Sequence, residues 1–138
     1  MSMNTLALDT SAYSALRTGH QRAISLVQKA RTILLPAVVL GELLGGFEYG
    51  RFRERNREGL HSFLQSNRVQ VSSITAETAE RYAAIYAYLR SVGRPIPTND
   101  IWIAASVMEY SAVLLTTDRH YSFIPHILVE MLTPDRKN

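Results

Sequence analysis

The chain contains no cysteine. That excludes disulfides and thiolate metal centres and leaves oxygen and nitrogen as the available ligands. Lysine is nearly absent: of 15 basic residues 13 are Arg, and only Lys29 and Lys137 are Lys. Aspartate is scarce too, with Asp9, Asp100, Asp118 and Asp135 the whole complement. The longest apolar stretch, Ile33 to Phe47, is broken by Glu42 and is too short to span a bilayer. No basic region followed by an apolar run opens the chain, so a cytoplasmic protein that does not engage the membrane is expected. Charged residues make up 20% and hydrophobic ones 46% of 138 residues, which excludes a disordered chain and predicts a single domain over 1–138.

Net charge is only +3, but Arg51, Arg53, Arg55 and Arg57 fall within seven residues. Arg suits bidentate phosphate contacts. Taken alone, that cluster reads as a solvated helix face with Glu54 and Glu58 as partners.

The hydrophobic pattern alternates strands with helices. Strands are expected at Thr5–Leu8, Ile33–Leu35, Val69–Ile74, Ala112–Leu115 and Ile127–Val129. Helices are expected at Thr10–Arg17, broken by Gly19, and at His20–Arg31. A third should start with Pro36 in its first turn and end near Gly45-Gly46. Others follow at Arg51–Gln65, at Thr75–Arg90 with Thr75 as cap and Gly93 as terminator, and at Asn99–Tyr110 capped by Thr98. Most strands are apolar without polar alternation. The expected fold is therefore α/β: a parallel central sheet with helices on both faces.

Against that frame, four carboxylates are poorly placed for structure alone. Asp9 closes the strand Leu6-Ala7-Leu8, and Asp118 follows Leu114-Leu115-Thr116-Thr117. Ligands of open parallel sheets bind beyond the carboxyl ends of strands, so these two can face one crevice. Glu42 is the one charge between Arg31 and Glu48, on a helix apolar on nearly every side. Burial without a cation or donors would be costly. Asp100 stands in the first turn of its helix, where helix-dipole complementation would suffice to explain it. Each has an ordinary explanation: strand end, turn, buried ion pair, dipole. Together they form a set that a divalent ion would bring to order, since like charges disfavour mutual ionisation and a cation relieves it. Hard oxygen ligands point to Mg²⁺ or Mn²⁺, and such ions activate water and stabilise a leaving oxygen, as phosphodiester hydrolysis needs.

At these residues the sequence resembles the PIN-domain family, and in particular the VapC-type toxins of bacterial toxin–antitoxin pairs. Four segments carry the resemblance: Leu8-Asp9-Thr10-Ser11; Leu35 to Leu43 around Glu42; Pro97-Thr98-Asn99-Asp100 through Ala105; and Leu115-Thr116-Thr117-Asp118. The resemblance implies a PIN fold and an Mg²⁺- or Mn²⁺-dependent endoribonuclease, with Asp9, Glu42, Asp100 and Asp118 at the acidic positions. Ser11 and Thr116 fall where small polar residues support such a cluster, and Asn99 could do the same or cap its helix. An RNA substrate, a homodimer and a cognate antitoxin that blocks the site are also implied. The helix Val38–Leu44 with Phe47, Tyr49 and Phe52 offers a groove for that partner, or else packs core and dimer.

Other residues are assigned quieter roles. His20, His61, His120 and His126 show no metal-ligand spacing, and surface or loop positions are expected for all, with His120 nearest the site. Trp102, Tyr82, Tyr86 and Tyr88 read as core or dimer-interface residues. Two other readings compete: a PIN-like module that holds RNA or protein without cutting, and another Mg²⁺-dependent phosphohydrolase. The intact acidic set argues against the first. Thr10-Ser11 after Asp9, where an aspartyl-phosphate enzyme would usually show a second Asp, argues against the second, and no Gly-rich phosphate loop follows that strand.

Overall fold

A computed structural model describes residues 4–134; residues 1–3 and 135–138 of the expected domain lie outside it. Five strands form one sheet: β1 (Thr5–Leu8), β2 (Thr32–Pro36), β3 (Val69–Ser72), β4 (Val113–Thr116) and β5 (Leu128–Met131). All pairings are parallel and the spatial order is β3-β2-β1-β4-β5. Leu6, Ala7 and Leu8 are fully buried, as are Ile33, Leu34 and Leu35. Successive strand side chains point to opposite faces, so both faces of the sheet are covered. The expected α/β arrangement is what forms.

Helices supply the covering layers: α1 (Thr10–Arg17), α2 (Gln21–Lys29), α3 (Ala37–Glu48), α4 (Arg53–Leu64), α5 (Ala76–Ser91) and α6 (Thr98–Glu109). Thr75 caps α5 through a reciprocal pair of bonds with Thr78, as a capping box does. Tyr82 stacks on Trp102 at 4.2 Å and joins α5 to α6, a packing role in line with the expectation for both rings.

Several boundaries differ from the pattern-based expectation. Helix α3 does not end at Gly45-Gly46 but runs to Glu48. Glycine weakens a helix by only about 1 kcal/mol, and neighbouring turns outweigh that. Pro36 does not stand inside the first turn of α3 but occupies its N-cap position with ψ 144°, and Thr98 is the first residue of α6 rather than its cap, which is Pro97. His20 and Ala30 cap α2 rather than extend it. A short 3-10 helix over Arg119–Phe123, unexpected from the pattern, follows β4. The last strand lies one to two residues later than expected.

The strand order carries the functional consequence. From β1 the chain moves outward to β2 and β3, then returns to the other side of β1 to lay down β4 and β5. The connections leave β1 and β4 in opposite senses, which opens a crevice above their carboxyl ends.

Candidate metal-binding active site

Asp9 is the residue that follows β1, and its backbone N–H donates to the carbonyl of Leu115 in β4 at 3.4 Å. Its side chain is also the N-cap of α1. Oδ1 accepts from Ser11 Oγ at 2.7 Å and from the backbone N–H of Ala12 at 2.8 Å, and Oδ2 accepts from Thr116 Oγ1 at 2.6 Å. Those bonds use both lone pairs of Oδ1 and one of Oδ2, which leaves one acceptor direction for a cation. The two hydroxyls are tied across the strand ends in turn. Ser11 Oγ accepts from the N–H of Thr117 at 3.0 Å, and Thr116 Oγ1 accepts from the N–H of Asp118 at 2.9 Å. Ser11 and Thr116 thus stand at the Asp9 carboxylate.

Glu42 reaches the same crevice from the middle of α3. Thr10 Oγ1 donates to its Oε1 at 2.6 Å, and Asn99 Nδ2 donates to its Oε2 at 3.3 Å. Asn99 lies at the start of α6 but does not cap it; its amide serves the carboxylate. The next residue, Asp100, accepts from the hydroxyl of Tyr121 at 3.2 Å through Oδ1. Asp118 caps the 3-10 helix, its Oδ1 accepting from the backbone N–H of His120 at 2.9 Å.

These side chains line one cavity of about 280 Å³: Asp9, Thr10, Ser11, Glu42, Asp100, Ile103, Asp118 and Tyr121. A larger groove of about 640 Å³ lies elsewhere, between α3 and α4, lined by Leu40, Leu44, Leu60, Leu64 and Arg57 among others; it holds none of the carboxylates just described.

The electrostatics call for a cation. Burial pushes the Asp9 carboxyl above the ordinary aspartate value, and Asp118 adds to the shift. Burial, then the charges of Asp118 and Glu42, push Asp100 the same way. Among the described residues, no Arg or Lys forms an ion pair with any of the four carboxylates. Arg53 is engaged by Glu48 and Glu54, as a solvated helix face would be, and Arg68 by the carbonyls of Val27 and Ala30. Four carboxylates with no Arg or Lys to neutralise them fit a divalent ion.

The structure also refines the set. Donor atoms of Asp100, Asp118 and His120 all lie within 4.8 Å of one another; Asp9 and Glu42 line the same cavity but are not part of that group. Sequence reasoning placed His120 nearest the site, where it is found, but did not single out Thr10 or Tyr121. Thr10 directly follows Asp9, and that adjacency was the available signal. Tyr121 reaches Asp100 across 21 positions, which no local pattern reveals.

Residues 6–126 match the family model of the PIN domain. The chain is 29% identical over 92 residues to "Ribonuclease VapC4" of Mycobacterium tuberculosis, covering 67% of this chain and 71% of that protein. Among solved structures, VapBC2 from Rickettsia felis bound to a DNA fragment from its promoter superposes with a TM-score of 0.81 at 24% identity, covering 94% of this chain and 99% of that one. DNA-bound VapBC from Salmonella typhimurium gives 0.80 at 23% identity, with 94% and 98% covered.

Proposed function

We propose, from the premise that this chain belongs to the PIN domain family, that it is a divalent-metal-dependent endoribonuclease and the toxin of a type II toxin–antitoxin pair. The observation that carries the reading is the convergence of Asp9, Glu42, Asp100 and Asp118 on one cavity, with no Arg or Lys paired to them among the described residues. Asp9, Glu42, Asp100 and Asp118 would hold Mg²⁺ or Mn²⁺ between them, directly or through waters the ion keeps. The ion, when bound, supplies an activated water and stabilises the leaving oxygen of the phosphodiester.

The rest of the work belongs to the chain itself. Ser11 and Thr116 hold Asp9 in one rotamer, so its free lone pair keeps its direction. Thr10 and Asn99 hold both oxygens of Glu42. Tyr121 steadies Asp100; burial and the carboxylates of Asp100, Asp9 and Asp118 push its phenol above the ordinary value of 10, so the hydroxyl keeps its proton and remains a donor. These fixed dipoles need no reorganisation when substrate arrives, which is where catalytic advantage accrues.

An RNA substrate is supported by the ribonuclease named among the relatives, and an antitoxin partner by solved neighbours that are toxin–antitoxin complexes. The apolar groove between α3 and α4 suits an amphipathic helix of such a partner. A single domain over 1–138 acting as a homodimer in the cytoplasm completes the reading; one continuous core supports the first part. No helix among the described residues is long and apolar enough to cross a membrane.

The test is cleavage of RNA by the purified protein. Asp100→Asn should lower the rate about 100-fold or more, with the circular dichroism spectrum unchanged, and EDTA should abolish cleavage until Mg²⁺ or Mn²⁺ is restored. Undiminished cleavage by the variant, or by wild type in EDTA, would sink the mechanism.

A further inference from the structure

One donor at the rim of the cavity is not accounted for by the four carboxylates. His120 lies two residues past Asp118, and its backbone N–H is bound to Asp118 Oδ1. That bond tethers the root of the imidazole to the carboxylate. Its Nδ1 then stands 3.3 Å from Asp118 Oδ1 and 3.9 Å from Asp100 Oδ2. The side chain is 52% exposed, against 16% for Asp100 and 36% for Asp118. The ring therefore sits at the mouth and can shift at little cost.

We propose that His120 supplies a nitrogen ligand to the divalent ion held by Asp100 and Asp118, and that this ligand makes the site prefer Mn²⁺ to Mg²⁺. The inference rests on the proposed reading only for the presence of an ion. The spacing suits shared coordination: bonds of about 2.1 Å at octahedral angles put neighbouring donors roughly 3.0 Å apart and opposite donors roughly 4.2 Å apart. Both measured separations fall between those bounds. The chemistry then sets the selectivity. Mg²⁺ takes hard oxygen ligands and keeps its waters, so an imidazole in place of one water gains it little. Mn²⁺ accepts oxygen donors and stands at the foot of the series of first-row ions that nitrogen donors favour progressively more. Asp100 and Asp118 anchor either ion; His120 separates them.

The experiment is a binding titration of the full chain, freed of metal, with MnCl₂ and separately with MgCl₂, followed by calorimetry. Wild type should bind Mn²⁺ about 10-fold or more tighter than Mg²⁺, and His120→Ala should erase most of that ratio by weakening Mn²⁺ alone. Pulsed electron paramagnetic resonance of the Mn²⁺-loaded protein should show ¹⁴N coupling from an imidazole in wild type and none in His120→Ala. Mn²⁺ bound without ¹⁴N coupling, or a Mn²⁺/Mg²⁺ ratio unchanged by the substitution, overturns the proposal. Such a protein that still cleaves RNA leaves the nuclease reading standing. One that shows the coupling but cleaves nothing overturns the nuclease reading and not this one. A wild type that binds neither ion overturns both.

Discussion

A carboxylate in a cavity is useful for chemistry to the degree that its neighbours hold it still. Asp9 is 5% exposed and accepts three protein bonds, so it cannot rotate without breaking a network that ties β1 to β4. Asp100 has one such holder, the hydroxyl of Tyr121, on a residue 1% exposed. Tyr121→Phe keeps the ring in the core and removes that bond. The fold should lose about 1 kcal/mol, the usual net worth of such a bond. Metal affinity should fall about 10-fold, as when a partner of a ligand is removed. A thermal melt and a metal titration measure the two effects separately. A variant with unaltered metal affinity would show that Tyr121 serves the core and not the site.

At the scale of elements, three helices end by one device, and only two of them use the residue best suited to it. Gly19 after α1 and Gly93 after α5 have positive φ of 88° and 68°. In each case the following residue bonds back to a carbonyl five positions earlier, His20 to Ala15 and Arg94 to Leu89. This is the left-handed helix stop that glycine adopts at low cost. Helix α6 ends in the same pattern, with Ala112 bonding to Val107, but the left-handed residue is Ser111 at φ 52°. A non-glycine there costs about 1–2 kcal/mol, partly offset by the greater entropy glycine loses on folding. Ser111 is exposed. Ser111→Gly should therefore stabilise the fold by about 0.5–1 kcal/mol, a rise in Tm of a few degrees by calorimetry. A lower Tm would show that the serine contributes something the backbone geometry does not reveal. Sequence pattern located the two glycine stops but could not mark this third one. The opposite error, ending α3 at Gly45-Gly46, has a matching cause: nothing lies within 4 Å of a Cβ built at either glycine, so neither makes a close approach. Their residue type signalled a terminus that the backbone does not form.

At the scale of the molecule, the sheet order decides where the acids meet, and the packing of α3 on α4 leaves an apolar groove beside them. Leu40 and Leu44 face Leu60 and Leu64 across the groove between α3 and α4. Glu42 lies on the same helix, two residues from each leucine, so it projects from the other side of α3 and lines the acidic cavity. A partner helix seated in the groove lies on the other side of α3 from that carboxylate, so the partner would need a further segment that reaches round α3 to bring a basic side chain to the acids. Expression of this protein alone should arrest growth, and co-expression with a small partner encoded beside it should relieve the arrest. Harmless expression with all four acids intact, and no adjacent gene product that binds, would remove the toxin reading while leaving the nuclease reading to the cleavage assay.

Much of this was present in the order of residue types. Apolar runs without alternation dictate buried parallel strands, because a strand covered on both faces has no polar side to offer. An acidic residue directly after such a run must stand at the strand's carboxyl end, so Asp9 and Asp118 could be placed at a crevice from sequence. Glu42 and Asp100 could be marked as costly or ambiguous, but their distance from that crevice could not be derived. Tertiary structure alone decided that β4 returns beside β1, which brings residues 9 and 118 together. It also turned Thr10 and Asn99 onto Glu42, Tyr121 onto Asp100, and His120 toward the rim. The reason is one of range. Strand and helix formation depend on neighbours a few residues apart, whose spacing the sequence states directly. Hydrogen bonds across 21 to 107 positions depend on how whole elements pack, and packing is a property of the assembled core rather than of any segment within it.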